Sequence, residues 1–293
     1  MAVSNSCGST RIAVESIVDD PRIDLESIVD DLAAQDVVYF GEEHDNDVGH
    51  FQHLALLKTL HAKRGDVVLS MEMFNREAQP VLDRYLAGEI DEETFLAESS
   101  PWPNYAMHYR PMIEYAKAHG IPVVAANASR ENLNAAFDED ADPPAPNLIA
   151  SSTTAPRDAY WDFFVEAMDG HGGTEEGGMI SRIYAKQCLR DDTMAESIVA
   201  ALDAHPGALV VHVCGKFHAE HGLGTAARVV QRRPGVKFRV LTMEAEPSVE
   251  RGGAGDYTLF VPEAHPELEN PHDDDDDGSA DSDSGESEDD DGE

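Results

Sequence analysis

Positive charge is scarce in this sequence. Its 293 residues carry 21 Lys and Arg against 58 Asp and Glu, a formal net charge of −37. Lysine is the scarcer base, with 6 residues against 15 arginines. Nucleic-acid phosphates are held by clustered Lys and Arg, and no such footprint occurs, so nucleic-acid binding is disfavoured. Long apolar runs are also missing. No stretch approaches the ~20 residues that span a bilayer, and the start of the chain from Met1 to Ser9 has no apolar signal core. Cysteine is limited to Cys7, Cys188 and Cys214, with neither disulfide nor metal spacing. That suits a reducing interior, so a cytoplasmic location is expected. Cys7-Gly8-Ser9 carries the alternative of an exported lipoprotein with a mis-assigned start.

The acid is not confined to one segment. Residues 273–293 hold 13 acids and no base, yet the preceding 272 residues still carry 45 acids against 21 bases. An acidic surface poor in lysine fits a protein kept soluble in concentrated salt, where screening removes the self-repulsion. A halophilic source is expected. With 41% hydrophobic residues the chain can bury a sizeable core.

Apolar β-branched runs at 37–41, 67–72, 121–127, 208–214 and 237–242 read as strands. Between them, 24–34, 47–63, 77–98, 107–119, 129–137, 157–168, 179–203 and 223–231 read as helices. This alternation predicts an α/β fold, a mostly parallel central sheet flanked by helices. The helical stretches at 77–119 and 157–203 exceed simple crossovers and predict a smaller helical lobe over the sheet's carboxyl edge. Residues 1–20 are expected to be a partly disordered segment, 21–262 one α/β domain, and 263–293 an acidic disordered tail.

Two blocks have the same form, a strand, then Gly, two residues and His. They are Val37-Val38-Tyr39-Phe40-Gly41-Glu42-Glu43-His44 and Leu209-Val210-Val211-His212-Val213-Cys214-Gly215-Lys216-Phe217-His218. Segments leaving the carboxyl ends of parallel strands line the ligand crevice, so His44 and His218 are expected to approach each other. Each alone also fits a hydrogen-bonded structural histidine. The other strand ends add Glu72, Asn127 and Arg130. A carboxylate in an apolar strand is costly unless paired or coordinated. Glu72 is thus either a ligand or the partner of Arg110 or Arg130. Two histidines and a carboxylate (His44, Glu72 and His218) match a site for zinc or manganese. Glu43 would then be the general base of a metal-dependent hydrolase. His50 and His53 share one helix face, read here as solvated. Trp102, Tyr105, His108, Tyr109 and Arg110 form an aromatic and basic cluster suited to a flat apolar ligand with carboxylates.

At these residues the chain resembles the ChaN-like haem-binding proteins of the Tiki/TraB superfamily. The resemblance runs in order through Gly41-Glu42-Glu43-His44-Asp45-Asn46, Glu72-Met73-Phe74-Asn75-Arg76, Tyr109-Arg110-Pro111, Pro122-Val123-Val124-Ala125-Ala126-Asn127 with Arg130, Asp191-Asp192-Thr193-Met194-Ala195 and Gly215-Lys216-Phe217-His218. It implies a parallel-sheet α/β domain with a small helical lobe, and haem binding linked to iron acquisition, with haem held between two protomers of a homodimer. Histidine and tyrosine are the implied haem-contact types. The residues that carry the expectation are His44, Glu72, Tyr109, Arg110, Asn127, Arg130 and His218. Related branches imply the hydrolase alternative.

The tail yields a first prediction. Residues 273–293 contain nothing larger than Ala to bury, so they cannot offset an ordering cost of roughly 1–2 kcal/mol per residue. Deleting them should leave haem or metal affinity unchanged and lower solubility. A folded truncation that no longer binds ligand would show the tail to be part of the functional surface.

Overall fold

The computed structural model describes residues 14–16, 25–168, 173–246 and 254–262. The acidic tail, and all of the N-terminal segment but residues 14–16, lie outside these. The strands are β1 (Val14–Ser16), β2 (Val37–Glu42), β3 (Val67–Asn75), β4 (Val123–Asn127), β5 (Leu209–Gly215), β6 (Phe238–Glu246) and β7 (Tyr257–Pro262). The α-helices are α1 (Leu25–Ala33), α2 (Asp47–Arg64), α3 (Gln79–Leu86), α4 (Glu92–Ser99), α5 (Arg110–His119), α6 (Arg130–Ala135), α7 (Ala159–Ala167), α8 (Met179–Ala204) and α9 (Thr225–Arg232).

The strands form one sheet in the order β1-β7-β6-β2-β5-β3-β4. The six from β7 to β4 pair in parallel, and the short β1 runs antiparallel to β7 at the edge. This is the α/β fold expected from the alternation. β2 and β5 are buried along their whole length, which is why their sequences are continuous apolar runs rather than alternating ones.

Alternate residues of these strands enter different cores. Val38 and Phe40 of β2, with Val211 and Val213 of β5, pack with α1 to α5. Val37, Tyr39 and Val210 pack with α8 and α9. Residues 77–119 and 157–203 therefore add helices beyond the crossovers, but on separate clusters. α3 to α5 join the first core, while α7 and the start of α8 build a small aromatic cluster with Phe217, just past the carboxyl end of β5.

Three features differ from the sequence reading. β1 and β7 are not among the expected strands: β1 has three residues, and Tyr257–Pro262 follows a Gly-rich stretch. The helix expected at 107–119 starts as a π-helical turn over Tyr105–Tyr109. β3 runs on to Asn75, with a register shift against β4 between Met71 and Asn75. Glu72 therefore stands within the strand rather than at its end. Among the described residues no helix is long and apolar enough to cross a membrane.

Asn46 fixes the start of α2. Its side-chain oxygen accepts from the Gly49 N–H at 3.0 Å and its amide donates to the Pro262 carbonyl at 2.8 Å. One buried residue thus caps α2 and ties it to β7. Asn46→Ala loses the cap and orphans the carbonyl, so it should cost about 1–2 kcal/mol in denaturant unfolding. An unchanged midpoint would show that α2 is held by packing alone.

Candidate functional site

The carboxyl edge of the sheet gathers two buried carboxylate centres, one on each face. On the α2 side the last residue of β2 is Glu42. Its Oε1 accepts from His44 Nδ1 at 2.8 Å and from the Tyr109 hydroxyl at 2.7 Å. Its Oε2 faces His50 Nδ1 at 3.3 Å and His53 Nδ1 at 3.9 Å. Burial alone would raise the Glu42 pKa, but the surrounding His50, His44 and His53 rings outweigh it and hold the carboxyl below its usual range. Burial lowers His50, and pushes His53 down to about 3.

On the α8 side the centre is His218. Its Nδ1 donates to Asp191 Oδ1 at 2.8 Å and its Nε2 lies 3.2 Å from Glu72 Oε1. Asp191 also accepts from Tyr160 at 2.7 Å and Thr225 at 2.8 Å. Burial works against the charged ring, but Glu72 and Asp191 outweigh it and push the His218 pKa up to about 10. Burial would raise Glu72, yet His218 and His44 hold it well below the usual carboxylate range.

The two halves interlock through the glycines of the paired blocks. Glu42 and Gly215 are register partners in the β2–β5 ladder. A Cβ on Gly215 would lie 2.8 Å from His44 Nε2, and one on Gly41 would lie 3.0 Å from the Lys216 Cα. Each block's glycine thus makes room for the other block's following residues, and Glu72 Oε2 accepts from the Gly215 N–H at 2.7 Å. Lys216 closes the junction by pairing with Glu43 at 2.8 Å.

The residues singled out from sequence fall into three groups. His44, Glu72, Tyr109 and His218 meet at this junction. Asn127 is buried at the end of β4, where its side chain accepts from the Ala128 N–H. Arg110 and Arg130 are elsewhere. Arg110 forms a surface pair with Glu92, because it starts α5 pointing away from the crevice. Arg130 lines an open groove between α6, α7 and α8. Neither pairs with Glu72, whose partners are His218 and the Gly215 amide. Glu43, the candidate base, is ion-paired to Lys216. The reading of His50 and His53 as a solvated face is corrected: both are buried, because that face of α2 lies over Glu42. Among the described residues, the donor group that gathers to within 4.8 Å is Glu42, His50 and His53, and it includes neither His44, Glu72 nor His218.

Glu42 stands among the strand-end residues and Asp191 within the motifs of the resemblance, but neither is among the site residues expected from sequence. The cost of burying a carboxylate, applied to Glu72, holds equally for Glu42 at the end of a doubly buried strand. Asp191 has no such signal from burial, since α8 is polar along much of its length; its one signal is its place in the motif Asp191-Asp192-Thr193-Met194-Ala195.

Of these side chains His44 is the accessible one, at 26% exposure. The Glu42 carboxylate can only accept, so His44 Nδ1 carries a proton and Nε2 is left over Gly215. Trp102 meets the ring edge-on at 4.9 Å, and the His44 carbonyl is held by Asn104 at 2.9 Å.

The doubly bonded His218 gives a pH prediction. Its folded pKa, about 10, lies above the value of ~6.5 expected in the unfolded chain. Its contribution is therefore complete below pH ~6.5 and is lost as pH rises towards about 10. The Tm gap between wild type and His218→Gln should be widest near pH 6 and narrow steadily to pH 10. A gap independent of pH would mean that the ring is neutral in the fold.

A family model described as haem-binding uptake, Tiki superfamily, ChaN matches residues 28–229. Among solved structures, one described as cofacial haem binding to ChaN of Campylobacter jejuni aligns with a TM-score of 0.66 and 15% identity, covering 86% of this chain and 97% of that one. An erythromycin esterase mutant, EreC, in its open conformation aligns with a TM-score of 0.46 and 11% identity, covering 80% and 78%. No curated protein matches the sequence.

Proposed function

The chain belongs to the ChaN family of haem-binding uptake proteins in the Tiki superfamily, and from that premise we propose that it binds haem at the crevice over His44. Haem is a flat apolar disc whose iron takes an axial histidine, tyrosine or thiolate donor. The residues present fit such a group. His44 offers a second ring nitrogen, Nε2, on a part-exposed side chain whose ring is oriented by a carboxylate, the arrangement that fixes the tautomer and raises the basicity of a histidine ligand. Tyr109 and His218 are buried and committed to Glu42, Glu72 and Asp191, so they orient and neutralise rather than reach the ligand.

Apolar surface lies close by in the chain. Val48 and Phe51 on the first turns of α2 and Met107 on the π-helical turn packed against α2 are exposed. Exposed apolar side chains on two packed elements are the kind of surface a macrocycle covers. When bound, haem would supply an iron open to one axial donor. His44 would hold it, Trp102 would fix the ring of His44, and the apolar side chains would exclude water. The role read from the family is haem uptake or handling. A homodimer and a cytoplasmic location belong to the same proposal.

The observation that carries this reading is His44, anchored by Glu42 and part-exposed at the sheet's carboxyl edge. Haemin titration of the full chain at high salt should give a saturable Soret shift. His44→Ala should weaken binding by roughly 10-fold or more with the fold retained. A wild-type chain giving no Soret change at any salt concentration would overturn the proposal.

A further inference from the structure

Behind His44, on the buried side of Glu42, lies a cluster that haem binding does not use. We infer that Glu42, His50 and His53 form a buried site for one divalent transition-metal ion of the zinc class. The three donors come from the end of β2 and the first two turns of α2, and their atoms lie within 4.8 Å of one another.

The argument starts from unpaired atoms. Glu42 Oε2, His50 Nδ1 and both ring nitrogens of His53 are buried without a hydrogen-bond partner, and buried polar groups are normally paired. The tautomer of His50 follows from its one partner. Its Nε2 lies 3.2 Å from the His44 carbonyl, which can only accept, so Nε2 carries the proton. A neutral His50 then points a bare Nδ1 lone pair at the Glu42 carboxylate, 3.3 Å away. Two acceptors facing each other in a buried space repel unless a cation stands between them.

The spacing suits an ion. Donors ~2.0–2.1 Å from a tetrahedral zinc stand about 3.4 Å apart. His50 and Glu42 already meet that distance, and the 3.9 Å to His53 Nδ1 needs a shift of a few tenths of an ångström. The rings are held for the purpose: His53 stacks on Phe40 at 4.9 Å and His50 on His108 at 4.2 Å. Two imidazoles and one carboxylate select borderline divalent metals over calcium or magnesium. An ion there would staple α2 to β2. It would also fix the carboxylate whose other oxygen orients His44.

The probes are zinc and cobalt(II), added to the haem-free full chain after chelator treatment and dialysis. One equivalent of zinc should bind, and cobalt(II) should give visible bands of a four- or five-coordinate site. His50→Gln and His53→Gln, folded by circular dichroism, should each weaken zinc binding by at least ~10-fold. If either variant fails to fold, zinc-induced shifts of the His50 and His53 Nδ1 resonances in the wild-type chain decide instead. The inference is overturned if the folded wild type binds neither ion, if His53→Gln binds zinc as wild type does, or if the wild-type Nδ1 resonances do not move. It is also overturned if binding is lost in His218→Gln but kept in His53→Gln, which would place the ion at His44, Glu72 and His218. These readouts are independent of the Soret band, so they stand or fall apart from haem binding.

Discussion

Two carboxylates, Glu42 and Glu72, are buried at the carboxyl edge of the sheet, and desolvation sets what must surround them. An uncompensated charge there is costly, so Glu42 is met by histidines that follow it closely in the chain and Glu72 by His218 from a distant strand end. Glu42 gathers His44, His50 and His53 together with the Tyr109 hydroxyl. Glu72 gathers His218, which Asp191 grips from its other side. The arrangement depends on two strand ends lying close enough to interleave. Gly41 and Gly215 permit that approach because neither presents a Cβ to the other block.

The same constraint separates the histidines into roles. His218 donates from both nitrogens and behaves as a buried cation. His44 donates from one nitrogen and leaves the other over Gly215. For His50 and His53 burial works against the attraction of the single carboxylate they share and lowers the pKa of both. Residue type alone does not distinguish these cases. The number of acceptors each ring meets does.

The mostly parallel sheet and its flanking helices are readable because buried parallel strands leave continuous β-branched runs, and helices leave a 3.6-residue period; the strand order is not. The pairing of the two blocks was readable because both place Gly and His at the same offset from a strand. What was hidden depended on three-dimensional direction. Whether His50 and His53 face solvent or core turns on how α2 sits over β2, which their spacing does not encode. Arg110 and Arg130 follow strand or helix ends close to the site in sequence, yet their side chains leave it. Asp191 reaches the site from the middle of the 26-residue α8, far from any strand end, so a search of strand ends passes it by.

The C. jejuni likeness shows the fold and the family model names haem as the family's ligand, while the residues bear on how this chain could hold one. The central claim is a set of proton positions, because each histidine's role follows from them. Long-range ¹⁵N–¹H NMR of the haem-free, metal-free chain at pH 8 reads them directly. The account predicts His218 protonated on both nitrogens, His44 protonated on Nδ1, and His50 neutral with its proton on Nε2. A neutral His218, or a His44 carrying its proton on Nε2 alone, would contradict it.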